Sequence, residues 1–139
     1  MRGIIFPSTT GPLCAVLRAG LTASLLAYSS GVTVQPKLPA TKTARMVTVR
    51  DDSGPDDGVQ TRRRYGFNVW AASSVDAENL ALLCMAILRG CADGQPITAT
   101  DSFSGPYEIP TDAPYNVGGK DLANYFFSAR ISARGTNFG

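Results

Sequence analysis

The chain has 139 residues, of which 44% are hydrophobic and 17% charged, and its net charge is +2. These values are typical of one folded domain of ordinary size and argue against a disordered tail. So small a net charge does not by itself indicate a polyanionic partner. The sequence has no histidine, which excludes imidazole as a general base and removes the usual ligands of catalytic zinc.

The first predicted helix follows a short strand or arm at the N-terminus. Pro12 suits the first turn of a helix, Thr9 or Thr10 can cap it, and Gly31 ends the element. Prolines and Arg18 interrupt the apolar stretch, so we interpret it as part of the fold and not as a signal peptide or membrane span. Apolar residues recur on one helical face: Leu13, Val16, Leu17, Leu21, Leu25 and Tyr28.

Five segments predict strands: residues 32–34, 46–50, 64–71, 97–101 and 122–134. Alternation assigns side chains to opposite faces in the two longest. In the third strand, one face carries Arg64, Gly66, Asn68 and Trp70, and the other carries Tyr65, Phe67, Val69 and Ala71. In the last strand, the inward side chains are Tyr125, Phe127, Ala129 and Ile131, and the outward ones are Asn124, Ser128, Arg130 and Ser132.

The second predicted helix covers residues 75–88 and is capped by Ser73 or Ser74. Asp76 suits the positive end of its dipole and Arg89 the negative end. Its apolar residues wrap most of the circumference: Leu80, Leu82, Leu83, Met85, Ile87 and Leu88. We therefore expect this helix to be buried on several sides, by the sheet or by a neighbouring subunit.

The order of these elements predicts a single α+β domain over residues 1–139. Two helices pack on a mostly antiparallel sheet of about four to five strands. Two connections stand out: a flexible acidic loop at residues 51–60 and a Gly/Pro-rich loop at residues 102–120.

The acidic loop and the arginine run after it are the most strongly charged features. The loop carries Asp51, Asp52, Asp56 and Asp57 but lacks the ligand spacing and closing glutamate of an EF-hand, so we interpret it as a solvated hairpin tip. Two interpretations of Arg62, Arg63 and Arg64 remain open. Arg62 and Arg64 contact phosphate from one strand face, or the run pairs with Asp51 and Asp52 across a hairpin, which we favour.

No residue pattern predicts catalysis, a cofactor or a metal. Cys14 and Cys84 lie in apolar helical patterns, and Cys91 follows a helix end, so a disulfide scaffold is not expected. Ser102, Ser104 and Tyr107 have no histidine partner, and Lys120 is isolated. We expect an oligomeric structural protein, in which the last strand offers a free edge for subunit pairing. Aromatic and apolar side chains in the second loop suit an interface: Phe103, Tyr107, Ile109 and Tyr115.

Several segments resemble the tail terminator proteins of long-tailed siphophages, particularly those infecting actinobacteria. They are TRRRYGFNVWAASSVDAENLALLCMAILRG (residues 61–90), ITATDSFSGPYEIPTD (97–112) and YFFSARISARGTN (125–137). A further pattern of that family is matched by Pro39, Ala44, Arg45, Val47, Val49 and Arg50.

The resemblance implies a small subunit that forms a hexameric ring at the head-proximal end of the tail tube. Such a ring stops polymerisation of the major tail tube protein and joins the tail to the head–tail stopper protein. Genomic DNA passes through its channel without sequence reading. The subunit is a virion component assembled in the host cytoplasm, with no membrane, metal, cofactor or enzymatic step.

Because the family offers no motif of functional residues, the contact sites are inferred from this sequence. We expect ring or channel contacts at Asp51, Asp52, Asp56, Asp57, Arg62, Arg63 and Arg64. We expect axial partner contacts at Phe103, Tyr107, Ile109 and Tyr115. Acidic loops lining a channel would let DNA slide, because they make no phosphate contacts. The alternatives are another head–tail connector (stopper or adaptor), a small nucleic-acid-binding module, and an enzyme with a cleft lined by carboxylates.

Overall fold

The computed structural model describes residues 3–6, 8–39, 42–56, 58–93, 96–110 and 115–137. Two α-helices and nine strands make up the described chain. In order they are β1 (Ile4–Ile5), α1 (Thr10–Ala23), a 3-10 turn (Ala27–Ser29), β2 (Thr33–Gln35), β3 (Met46–Asp51), β4 (Gln60–Ala71), α2 (Ser74–Arg89), β5 (Ile97–Glu108), β6 (Asn116–Val117), β7 (Lys120–Asp121), β8 (Ala123–Arg134) and β9 (Thr136–Asn137).

The main sheet has five strands in the order β2-β3-β4-β8-β5. All its pairings are antiparallel except that of β2 with β3, so the sheet is mixed. Short ribbons are formed by β1 with β9 and by β6 with β7. The predicted α+β fold, with two helices on a mostly antiparallel sheet of four to five strands, is confirmed.

Both helices pack on one side of the sheet, which we call the covered face. On β8 this face carries the side chains predicted to point inward, including Phe127 and Ile131, and on β4 it carries the predicted face of Tyr65 and Phe67; all four are buried. The rings of Phe67 and Phe127 stack at 4.6 Å between centroids. Alternation along paired strands therefore builds one continuous apolar core between the sheet and the helices.

The other side of the sheet, which we call the open face, has no helix on it among the described residues. It carries the alternate side chains of β3, β4 and β8, including Arg64 and also Arg130, which was predicted to point outward. At one end of this face, Met46, Trp70 and Leu122 form a small separate apolar cluster. Leu38, Tyr115 and Val117 pack against that cluster.

Helix α1 is shorter than predicted, because it ends at Ala23 and not at Gly31. Ser24 adopts an extended conformation, and its hydroxyl accepts a hydrogen bond from the Leu26 N–H at 3.2 Å. A serine that bonds its own backbone in this way competes with the helix. Leu25, which was predicted to lie on the apolar stripe, is fully exposed.

Helix α2 begins where predicted, since the Ser73 hydroxyl accepts a hydrogen bond from the Asp76 N–H. It packs against the sheet on one side and α1 on another. The chain itself therefore buries the helix on several sides, but it leaves Val75 and Leu82 68% and 45% exposed. An apolar residue on a helix surface is ordinary in itself.

Two strand predictions were also wrong. Strand β5 does not end at residue 101 but continues to Glu108, so the first part of the predicted second loop is strand. The pairing of β5 with β8 is irregular in this part of the strand. Ser102 and Gly105 have positive φ, and the register shifts beside them. The last long strand, β8, is not a free edge, because β4 and β5 flank it on both sides.

Candidate interaction surface

Five arginines project from the open face, and we call this surface the arginine face. They are Arg50 on β3, Arg62 and Arg64 on β4, and Arg130 and Arg134 on β8. The strand register places Arg64 directly opposite Arg130, and Arg62 opposite Ser132. Small residues between them, including Gly66 and Ser128, leave room for the long side chains to lie across the sheet.

Arg50 and Arg130 form ion pairs, and Arg64 donates hydrogen bonds. Arg50 Nε lies 2.6 Å from Asp52 Oδ1, and Arg130 Nε lies 2.7 Å from Asp101 Oδ1. Arg64 Nη1 donates to Ser128 Oγ at 2.9 Å and to the carbonyl oxygen of Ser102 at 3.2 Å. The hydrogen bonds of Arg64 hold its guanidinium group in place without neutralising its charge.

The ion pairs shift the pKa values of their members. The hydrogen bond from Arg130 lowers the pKa of Asp101, and the charge of Arg64 lowers it further. The hydrogen bond to Asp101 raises the pKa of Arg130, and the hydrogen bond to Asp52 raises that of Arg50. The carboxylate of Asp101 is therefore ionised at neutral pH, as its ion pair with Arg130 requires.

An aromatic pair borders the arginines. The rings of Tyr107 and Phe126 lie 5.5 Å apart at a tilt of 52°. The guanidinium carbon of Arg50 lies 5.8 Å from the Phe126 ring centroid. Tyr107 is 48% exposed, so this edge of the face combines cationic and aromatic surface.

The arginine triplet divides between the two faces of β4. Arg63 points to the covered side, where its Nη1 lies 3.2 Å from Asp51 Oδ2. The predicted pairing of the triplet with Asp51 and Asp52 is confirmed for Arg63 and Asp51. Asp52 pairs with Arg50, two residues before it.

The acidic segment, residues 51–56, follows the edge of β4. Asp52 N donates to Arg64 O at 2.8 Å, and Arg62 N donates to Pro55 O at 2.9 Å. Asp56 Oδ1 accepts a hydrogen bond from Gly58 N. Asp57, also predicted as a contact residue, lies outside the described residues. The carboxylates of this segment are exposed but largely engaged within the chain.

The four predicted axial residues do not form one surface. Phe103 packs against the core, with the Arg89 guanidinium 4.7 Å from its ring centroid. Tyr115 packs on Trp70 at 5.8 Å, and the N–H of Ile109 bonds to the carbonyl of Asn124. Tyr107 is the one large exposed hydrophobic residue of the four.

Sequence reasoning did not connect Arg50, Arg130 and Arg134 with the arginine triplet. In the sheet, alternation along β3 and β8 puts each of their side chains on the same face as Arg62 and Arg64, and alternation can be read from the sequence. Alternation can connect these arginines only if β4 is known to lie between β3 and β8. Local sequence patterns do not specify that long-range strand order.

The described residues offer little for covalent or metal chemistry. No group of three or more potential ligands occurs among them. Burial raises the pKa of Cys84 to about 12 and also raises the pKa values of Cys14 and Cys91. One cleft at the C-terminal end of α1 is lined by residues such as Arg18, Thr22 and Leu26, and none of its lining residues is a carboxylate. No described helix is long and apolar enough to cross a membrane.

Among solved structures, the chain is similar to a chain of the "Virion of native gene transfer agent (GTA) particle". The two are 13% identical, with a TM-score of 0.59, and the similarity covers 92% of this chain and 99% of that chain. The two chains therefore share a fold over nearly their whole lengths. No family model and no curated protein matches the sequence.

Proposed function

We propose that the protein is a structural subunit of a phage-like virion. The observation that carries this proposal is the fold shared with a chain of a gene transfer agent virion, over 92% of one chain and 99% of the other. So complete an overlap indicates that the two chains correspond as whole domains, without a large insertion in either. A non-enzymatic role agrees with a sequence that has no histidine.

The more specific proposal is a tail terminator. In this role the subunit forms a ring, hexameric in the family that the sequence resembles, at the head-proximal end of the tail tube. The ring stops tube polymerisation and binds the stopper protein, and DNA passes through its channel. Support comes from the segments at residues 61–90, 97–112 and 125–137, which resemble that family. Surfaces available for subunit contacts include the open face and the exposed residues Val75 and Leu82 of α2.

The test is the mass of the purified protein in solution, measured by light scattering with and without the major tail tube protein of the same phage. We expect a closed ring of about six subunits, formed by the protein alone or at tube ends. A protein that stays monomeric and ignores tube ends contradicts the terminator proposal. Binding to a portal-side protein in place of the tube would identify a stopper or adaptor instead.

Tyr107 is the best residue with which to test the axial contact. Its side chain is 48% exposed, so Tyr107→Ala removes a surface group, whereas Phe103→Ala also opens the core. We expect Tyr107→Ala to weaken binding to the axial partner while ring mass stays the same. Leu25→Ala is the matched control, because Leu25 is fully exposed on the helical side of the sheet. Equal binding of the axial partner by both variants would show that Tyr107 is not part of the axial contact.

A further inference from the structure

We propose that Arg18 closes one edge of the main sheet, strand β2, to pairing with a strand of another copy of the chain. The sheet has two outer strands, β2 and β5. The outer side of such a strand carries unpaired N–H and C=O groups, which are a template for pairing between chains. The inference goes beyond the proposed function and does not depend on ring formation, because Arg18 and β2 belong to the same subunit.

The first argument is the hydrogen bonding of Val34, the middle residue of β2. Thr33 N donates to Arg45 O at 3.1 Å, in the parallel pairing of β2 with β3. Backbone groups of successive strand residues point to opposite sides, so the Val34 carbonyl points away from β3. There it accepts hydrogen bonds from Arg18 Nε at 3.0 Å and Arg18 Nη2 at 2.5 Å. An incoming strand would need this same carbonyl as an acceptor.

The need for a hydrogen bond does not by itself explain an arginine at this position. Water can satisfy a carbonyl at a sheet edge, and an arginine that is held in one conformation loses side-chain entropy. The guanidinium group adds a positive charge and bulk beside the outward carbonyl. Charged side chains are one means by which proteins prevent sheet edges from pairing. Arg18 therefore fits the role of a block better than that of a simple donor.

The end of β2 supplies a second, independent observation. Residues two positions apart on a strand direct their backbone groups to the same side, so position 36 would supply the next outward N–H after Val34. Pro36 occupies this position and has no N–H. Lys37 follows it and is exposed. Proline, lysine and a short strand are all typical of protected edges, and β2 has three residues.

The surroundings of β2 explain why this edge needs to be closed. A cleft of about 670 Å³ lies beside the residues that lead into the strand, Gly31 and Val32, and Arg18 also lines it. Leu25 and Leu26 line the same cleft and are 100% and 46% exposed. Apolar surface beside an open strand edge favours association. Without Arg18, a second copy could dock its β5, which has no strand on its outer side among the described residues.

The test is the mass of the Arg18→Met variant, measured by light scattering over a range of protein concentrations. Methionine keeps an unbranched apolar stem but has no N–H to donate. We expect its average mass to exceed that of the wild type several-fold at high concentration. Arg18→Gln is too short to hold the carbonyl through two N–H groups, so its mass should also rise. Arg18→Lys keeps the charge and a donor, so we expect it to keep the wild-type mass.

Two control variants separate strand pairing from a loss of charge or of stability. Arg134→Met removes one positive charge from an exposed position on another strand. Gly20→Ala destabilises the same helix as Arg18, because its Cβ would lie 2.7 Å from Ile87 Cγ2. We expect both controls to keep the wild-type mass. Thermal unfolding checks that each variant is folded.

Mixing the variant with wild-type protein gives a readout that aggregation of unfolded chains would not share. Growth that joins β2 of one copy to β5 of the next has a direction. A wild-type subunit offers its β5, but its β2 stays closed by Arg18. Added wild-type protein should therefore end the growing assemblies and lower the average mass of Arg18→Met in proportion to the amount added.

Three results overturn the proposal. In the first, folded Arg18→Met and Arg18→Gln keep the wild-type mass, or neither variant folds, which would make Arg18 a packing residue. In the second, the variants grow but added wild-type protein does not reduce their mass. In the third, the mass of Arg18→Met falls below that of the wild type, which would assign Arg18 to a contact between copies.

Discussion

The two faces of the main sheet are built from the same strands but have opposite chemistry. On the covered face, Phe67 of β4 stacks on Phe127 of β8 with an interplanar angle of 5°. Three residues away, on the open face, Arg64 of β4 lies opposite Arg130 of β8. At this level of the sheet, one side of each strand therefore contributes packing, while the other presents charge at the surface.

This difference separates stability from interaction. Side chains on the covered face are buried, and each packs against many neighbours. A substitution there therefore lowers the stability of the whole fold. The arginines of the open face reach the surface, and exposed ion pairs such as Arg130 with Asp101 contribute little to stability. These arginine positions can therefore change in sequence without loss of the fold, whereas Met46 and Trp70, buried at one end of the same face, cannot.

The largest expected effect comes from one substitution made on each face of β8. Phe127→Ala removes a fully buried ring from the stack with Phe67, and we expect it to lower the free energy of unfolding by about 3–5 kcal/mol. Phe126→Ala removes a half-buried ring from the open face and should cost about 1 kcal/mol. Urea denaturation of both variants measures the difference. Equal losses would show that the open face is packed as tightly as the covered one.

Local patterns in the sequence were enough to predict this division. Alternation along residues 64–71 correctly placed Phe67 and Arg64 on opposite faces, and alternation along residues 122–134 correctly pointed Phe127 inward and Arg130 outward. The cap at Ser73 was also predictable, because it depends on residues within one turn. Such features require only local geometry, so a single sequence carries them.

The features that sequence did not predict depend on distant partners. Strand β8 lies inside the sheet because β5 pairs with its outer side. Strand β5 extends to Glu108 because the irregular backbone at Ser102 and Gly105 lets this pairing continue. The arginine face likewise requires β3, β4 and β8 to lie side by side. No local pattern specifies these neighbours. The end of α1 at Ala23 depended instead on one serine hydroxyl, at Ser24.

A smaller effect is expected where α1 meets α2 on the covered side. A Cβ on Gly20 would lie 2.7 Å from Ile87 Cγ2, so Gly20→Ala forces the Ile87 side chain out of its position between the two helices. We expect a loss of about 1–2 kcal/mol, because overpacking outweighs the higher helix propensity of alanine. Gly11→Ala is the matched control in the same helix, since a Cβ there meets nothing within 4 Å. It should stabilise the protein by about 0.5 kcal/mol. Thermal unfolding that shifts both variants in the same direction would contradict tight packing at Gly20.

The smallest effect belongs to the open face and depends on pH. Arg130 lowers the pKa of Asp101 below its ordinary value of 3.8, so the ionised carboxylate stabilises the folded state. This contribution is fully present above pH 3.8 and is lost as the pH falls through the lowered pKa. We expect Asp101→Asn to unfold slightly below the wild-type temperature at pH 7 and at the same temperature near the acid limit. Because the pair is exposed, salt at about 1 M should also reduce the difference at pH 7. A difference that persists at low pH and high salt would mean that Asp101 acts through packing, and the open face would then resemble the covered one.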